Sequence, residues 1–206
     1  MRCYIARHLV RIALYSCLLT LSSLCYSQSI DDVCEPAPFE DLECEPDLYR
    51  IEAAQKVEAF ASSLKGALVK AIQQQGFAHA VDVCKSQAPE IASALSTDGW
   101  TVARTSLKAR NPKNKPDGWE KGILEDFDHR FKAGIPVSAL AAEIREKDQY
   151  RFMQAIPTSQ VCLACHGSAI ESELADTIRS QYPQDAATGY TLEDIRGAFT
   201  LRKVLN

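Results

Sequence analysis

Five residues, Cys162-Leu163-Ala164-Cys165-His166, constrain this chain more than any other stretch. C-x-x-C-H is the spacing of c-type haem attachment. Two thiols must each add across one vinyl group of the same porphyrin, and two intervening residues set them about one helical turn apart. The next residue, a histidine, then points its imidazole at the iron from one face. A thioredoxin-like redox pair would want a βαβ context, which is not visible here. A zinc site would need a second ligand pair, and there is no second C-x-x-C or H-x3-H. The expectation is one haem c per chain, with Cys162 and Cys165 as the thioether residues and His166 as the proximal iron ligand.

The start of the chain fits that chemistry. Arg2, Arg7 and Arg11 form a basic region, Ile12 to Tyr26 an apolar Leu-rich run, and small Ser27 can end it. The run is short for a membrane span and fits a secretory signal peptide over 1–27. Retention as an anchor is the alternative. A lipoprotein reading through Cys25 is weaker, because bulky Leu24 precedes it. Thioether attachment takes place outside the cytoplasm in bacteria, so a periplasmic or otherwise exported protein is expected, with no stable membrane span after signal removal. Cleavage leaves 179 of 206 residues, enough for one core. It takes away three arginines and no acid, moving the formal charge from −4 to −7. That speaks against nucleic acid and anionic membranes. It leaves a basic electron-transfer partner open; no redox partner is identified.

Of eight cysteines, Cys3, Cys17 and Cys25 leave with the signal. Cys34 and Cys44 flank a short acidic, Pro-containing loop and can close a disulfide in an oxidising compartment. Two free or intermolecular thiols are the alternative. Cys84 is then the odd thiol in an exported chain and asks for a reason.

Residues 28–46 read as an extended acidic arm punctuated by Pro36, Pro38 and Pro46. Asp47 can cap a long helix to about Gln75, closed by Gly76. A second helix follows, with Phe77, Val81, Cys84 and Ala88 on one apolar stripe and an interruption of the pattern at Pro89, beyond which Glu90 to Ser96 can continue as a further turn. His79 lies five positions from Cys84, about 140° around the helix, so the two cannot face one iron. Trp100–Leu107 reads as a strand, 110–119 as a structured loop, and a helix runs from Pro116 or Asp117 to Lys132. Val137–Lys147 is ambiguous: its alanines favour helix, and a hairpin stays open. Tyr150–Ile156 reads as a strand leading to the motif, Ala169–Gln181 as helix and Ile195–Val204 as a last strand. Soft anionic thiolate suits ferric haem and lowers its potential, so Cys84 is a candidate second ligand. A buried structural cysteine is the plainer reading. Met153, alone in a Phe-containing strand, is the other ligand candidate and more often a core residue.

Several strings resemble one family. They are Cys84-x3-Ala88-Pro89, Arg104-Thr105-Ser106, Arg110-Asn111-Pro112-Lys113-Asn114-x-Pro116-x-x-Trp119-Glu120, Cys162-Leu163-x-Cys165-His166-Gly167, Tyr182-Pro183-x-Asp185-x-Ala187-x-Gly189 and Arg196-Gly197-Ala198-Phe199. In this order they look like the monohaem c-type proteins of PAS-like fold. The resemblance implies an α+β domain over 47–206, with a central antiparallel sheet flanked by helices and a long N-terminal helix. It also implies His/Cys axial ligation, with Cys84 as the distal iron ligand. Arg104, Arg110 and Arg151 are candidate propionate contacts by their position near these strings, and Trp119 is a candidate for packing on the porphyrin. Two functions follow. One is electron transfer at low potential; the other is a haem-based redox or small-gas sensor acting through a partner protein. No output domain follows Asn206, which favours the carrier. A haem enzyme ranks last, because six-coordinate iron leaves no open position.

Overall fold

The computed structural model describes residues 47–205. The expected signal peptide, the acidic arm and the Cys34–Cys44 pair lie outside the described residues.

Asp47 caps helix α1 (Leu48–Leu95), accepting from the Tyr49 N–H at 2.9 Å. Gly76 interrupts α1 with φ +79°, a left-handed conformation that glycine adopts without steric cost. The expected break at Gly76 is therefore present, as a kink between two helical halves. At Pro89 the helix is not broken: of the two readings, the further turn over 90–96 is the one present, and helix continues to Leu95. Pro89 removes one donor from the helical ladder, but Pro89 and Lys85 are both exposed, so the freed Lys85 carbonyl stays open to water.

Strands β1 (Trp100–Thr105), β2 (Ala141–Arg145), β3 (Gln149–Pro157) and β4 (Ile195–Val204) form one antiparallel sheet in the order β1-β4-β3-β2. β2 corrects the helix preference of its alanines. Five residues of β2 pair with β3 across a hairpin, from Ala141↔Gln154 to Arg145↔Tyr150. Cross-strand pairing outweighs helix propensity of a few tenths of a kcal/mol per residue.

The sheet buries both faces. On one, Trp100, Val102, Tyr150, Phe152, Phe199 and Leu201 meet Ala53, Val57 and Phe60 of the first half of α1. On the other, Met153, Ala155 and Ala198 meet Leu124 and Phe127 of helix α2 (Gly118–Lys132). Each large apolar side chain so buried contributes about 1.5–3 kcal/mol. A capping box starts α2: Asp117 accepts from the Glu120 N–H at 2.9 Å, and Glu120 from the Asp117 N–H at 3.0 Å. The α+β class, the central antiparallel sheet and the long N-terminal helix are as expected. Among the described residues no helix is long and apolar enough to cross a membrane.

Strand β4 carries a bulge. Ile156 pairs with Gly197 and Pro157 with Ile195, so Arg196 has no partner across the ladder. The extra residue changes the face of everything before it. Ile195 joins Ala198 in the α2-side cluster, three residues away, which a regular strand forbids. Arg196 is turned to the other side, where the C-x-x-C-H segment lies.

Candidate haem site

The C-x-x-C-H residues fold as a single helical turn. A 3-10 turn over Gln160–Cys162 runs into the short helix α3 (Leu163–His166). Gly167 ends it and must be small, because a Cβ there would sit 2.7 Å from the Leu163 carbonyl oxygen. Ser159 holds the first thiol, with its Oγ 3.1 Å from Cys162 Sγ. Cys84, Cys162 and Cys165 are all free thiols.

His166 has a fixed tautomer. Its Nδ1 lies 2.8 Å from the Ala187 carbonyl oxygen, which can only accept, so Nδ1 carries the proton. The lone pair is then on Nε2, which faces Arg196 Nη2 at 3.4 Å. Burial, helped by the charges of Arg196 and Arg110, pushes the imidazole pKa down to about 2, so the ring is neutral and a donor of electrons. The Tyr190 ring meets it edge-on at 6.3 Å.

The loop after helix α4 (Ser172–Gln181) builds the support. Asp185 accepts the Ala187 N–H at 2.8 Å and pairs with Arg110 at 3.2 Å. Arg110 donates to the carbonyls of Cys165 at 2.5 Å and Ala187 at 3.3 Å. One carboxylate thus orders the arginine, the motif backbone and the carbonyl that orients His166. Gly189 and Tyr190 donate to the Gly167 and His166 carbonyls at 3.0 and 2.9 Å.

Cys84 comes from the second half of α1. That half packs on α4 through Val81, Leu174 and Ile178, with Cys165 and Tyr182 at the margin of the cluster. Burial pushes the Cys84 thiol pKa up, against the pull of Arg104, Arg110 and Arg196, and burial likewise raises that of Cys165. Both sulfurs are protonated at neutral pH unless a cation takes the thiolate. The structure therefore brings Cys84, Cys162, Cys165, His166, Arg104 and Arg110 into one neighbourhood.

A family model described as Tll0287-like (Tll0287) matches residues 42–203. The chain belongs to the Tll0287-like family. The crystal structure of the cyanobacterial heme-protein Tll0287 aligns with a TM-score of 0.56 at 23% identity, covering 75% of this chain and 96% of that one. At this identity the likeness is one of fold. No curated protein matches the chain.

Within this Tll0287-like frame two expected contacts do not join the site. Arg151 and Trp119 lie on the α2 face of the sheet. Arg151 pairs with Asp117 at 2.6 Å and Glu120 at 3.4 Å, and its guanidinium stacks over Trp119 at 4.4 Å. Strand alternation is the reason: Tyr150 and Phe152 face α1, so Arg151 faces away. Met153, fully buried with α2, is core on that same far face. His79 is part-buried on α1 and joins none of the contacts above. Arg196 takes the place expected for Arg151. Only the bulge puts it there, held by Ser106 Oγ at 3.1 Å and lying over the Tyr190 ring at 5.0 Å.

The donor set fits a haem. Arg104 lies over Phe60 at 5.6 Å and pairs with no carboxylate among the described residues. Nε of Arg110 and of Arg196 are buried without hydrogen-bond partners. Three guanidiniums thus face one carboxylate, Asp185, and an unpaired buried charge is costly. A macrocycle bearing two carboxylates, bound by two thiols and one neutral imidazole, meets both demands. Among the described residues no three His, Cys, Asp or Glu side chains converge as a metal site of their own.

Proposed function

We propose that this protein is an exported monohaem c-type cytochrome that transfers electrons at low potential. Haem c would be linked to Cys162 and Cys165, with His166 and Cys84 as axial ligands. The observation that carries the reading is the His166 tautomer, set by Ala187, within a C-x-x-C-H turn surrounded by surplus arginines. The PAS-like assignment of the frame is part of the same proposal, as is haem binding in common with the heme-protein Tll0287.

Bound haem supplies a reversible one-electron change at iron. His166 offers the Nε2 lone pair, and its Nδ1–H bond to Ala187 makes the imidazole a stronger donor. Cys84 offers a soft anionic sulfur that favours the more positive oxidation state. Arg104, Arg110 and Arg196 would meet the propionates with charge-assisted hydrogen bonds. Two propionates and Asp185 would offset those three cations, which leaves the thiolate to set the sign of the shift.

A sensor is the second reading, and the Gly76 break favours it. Cys84 rides on a stretch of α1 between a left-handed glycine and the Ile91, Ala92 and Leu95 side chains that pack on the sheet. Loss of sulfur on reduction would leave 77–88 free to adjust between those two points.

Co-expression with haem-attachment machinery tests the primary reading. The protein is expected to keep its haem through acid–acetone extraction. Cys84→Ala should abolish thiolate features of a low-spin ferric spectrum. Freely extracted haem rejects covalent attachment, and an unchanged spectrum removes Cys84 from iron. Carbon monoxide should bind the ferrous protein slowly or not at all. Rapid stoichiometric binding with altered amide exchange over 77–88 would decide for the sensor.

A further inference from the structure

The chain is acidic, with 27 carboxylates against 23 Lys and Arg, yet its charge is unevenly placed. Residues 106–116 carry Lys108, Arg110, Lys113 and Lys115 and not one acid. The structure folds this segment against the site. Arg110 reaches the Cys165 carbonyl, Ala109 O accepts from the Ala186 N–H at 3.2 Å, and the Ser106 N–H donates to Asn114 O at 3.1 Å. Lys108, Lys113 and Lys115 are exposed. Leu107, 47% exposed, adds an apolar contact among them.

Across a cleft of about 310 Å³ from Asn111 and Pro112 stand Lys85 and the 181–184 segment, and no carboxylate lines the cleft. Lys85 directly follows Cys84. Of the nearby acids, Asp185 is paired with Arg110, and Asp82 accepts from Gln181 Nε2 at 2.7 Å outside the cleft lining. Arg104 and Arg196 add cations behind this rim, and two propionates would not neutralise the whole set.

We propose that this rim is the docking surface for an acidic redox protein, which approaches over the loop 107–115 and Lys85 to exchange electrons beside Cys84. The whole-chain charge, which points to a basic partner, is misleading here. At about 0.1 M salt charges act over about 10 Å, so the local patch governs the encounter more than acids on other elements of the described domain. A nucleic acid fits less well, since a long polyanion would run off the patch onto an acidic remainder. The proposal rests on the electron-transfer reading of the site.

Two measurements separate it from that reading. Hexacyanochromate(III), a paramagnetic trianion, is titrated into the isotope-labelled full chain. Amides of residues 85, 108–111 and 113–115 are expected to broaden first, which requires no electron transfer; uniform broadening, or none there, overturns the docking surface. Reduced holoprotein is then mixed with ferricyanide at rising ionic strength. Its rate should fall with salt, although protein and oxidant both carry net negative charge, and that of the cation tris(phenanthroline)cobalt(III) should rise. Lys113→Glu with Lys115→Glu should lower the low-salt ferricyanide rate by about threefold or more, without altering the visible spectrum. Lys121→Glu with Lys147→Glu changes net charge equally but on other elements, and should have little effect. Equal effects of the two pairs, or a ferricyanide rate that rises with salt, overturn the proposal. A patch that broadens in a protein lacking covalent haem leaves the anion-binding surface standing and rejects the electron-transfer reading.

Discussion

Asp185→Asn isolates the pair that supports the site. The side chains of Asp185 and Arg110 are only 8% and 12% exposed, and they meet at 3.2 Å. Removing one member of a buried pair costs about 3–5 kcal/mol, because the other charge stays buried. Residual exposure places the loss near the lower end, at about 3 kcal/mol. Asparagine keeps the Oδ1 acceptor that holds the Ala187 N–H at 2.8 Å, so this loss belongs to the ion pair. Asp185→Ala removes the acceptor as well, at a further cost of about 1 kcal/mol. Urea unfolding followed by circular dichroism reads both numbers. The asparagine variant should also melt about 6–12 °C lower, from 2–4 °C per kcal/mol for a domain of this size. A loss under 1 kcal/mol for Asp185→Asn would refute the reasoning. Arg110 would then be satisfied by its carbonyl partners or by water, and Asp185 would matter only as a turn residue.

Three further outcomes are expected. A methyl group at Gly197 would collide with the Thr105 carbonyl oxygen, so Gly197→Ala should part β1 from β4 beside the bulge, cost about 3 kcal/mol or more, and weaken the hold on Arg196, seen as lower haem incorporation. Burial raises the Asp117 pKa, but the Glu120 N–H, Arg151 and Arg202 outweigh it and hold it below the ordinary 3.8. A depressed acid stabilises the fold above its unfolded pKa and loses that contribution as pH falls below about 4, so Asp117→Asn should flatten the loss of stability measured between about pH 5 and 2.5. Intact mass of the exported protein should correspond to a chain starting at Gln28, and a chain retaining Arg11 would reject signal removal.

The parts of the site that were legible in the sequence are those fixed by local spacing. C-x-x-C-H specifies its own turn, and Cys84 stands out as an unassigned thiol on a helical stripe. Gly76, Asp117 and the strand from Ile195 to Val204 were legible for the same reason, since caps and breaks act within a few residues. What was not legible depends on register. Arg151 and Arg196 both sit in strands, and a strand side chain changes face with every position. Only the pairing of β3 with β4, and the extra residue at Arg196, decide which of the two reaches His166. Arg196-Gly197 gave a signal, a glycine within a strand, which marks a bulge or a close approach. The strand β2 was masked by its alanines, whose preference yields to a partner strand that no local window contains.

The position of β4 also governs the order in which the molecule can assemble. It lies between β1 and β3, yet it follows every other element along the chain. A chain made N-terminus first can therefore close only the β2–β3 hairpin of the sheet early. β1 must wait for a partner about a hundred residues downstream, since Trp100 pairs with Lys203. Such long-range closure is slow. During that interval Cys162 and Cys165 have already been made, while Arg196, which will lie against His166, has not. If haem is attached as proposed, both thiols stay open to the reaction until the final strand brings Arg196 against His166.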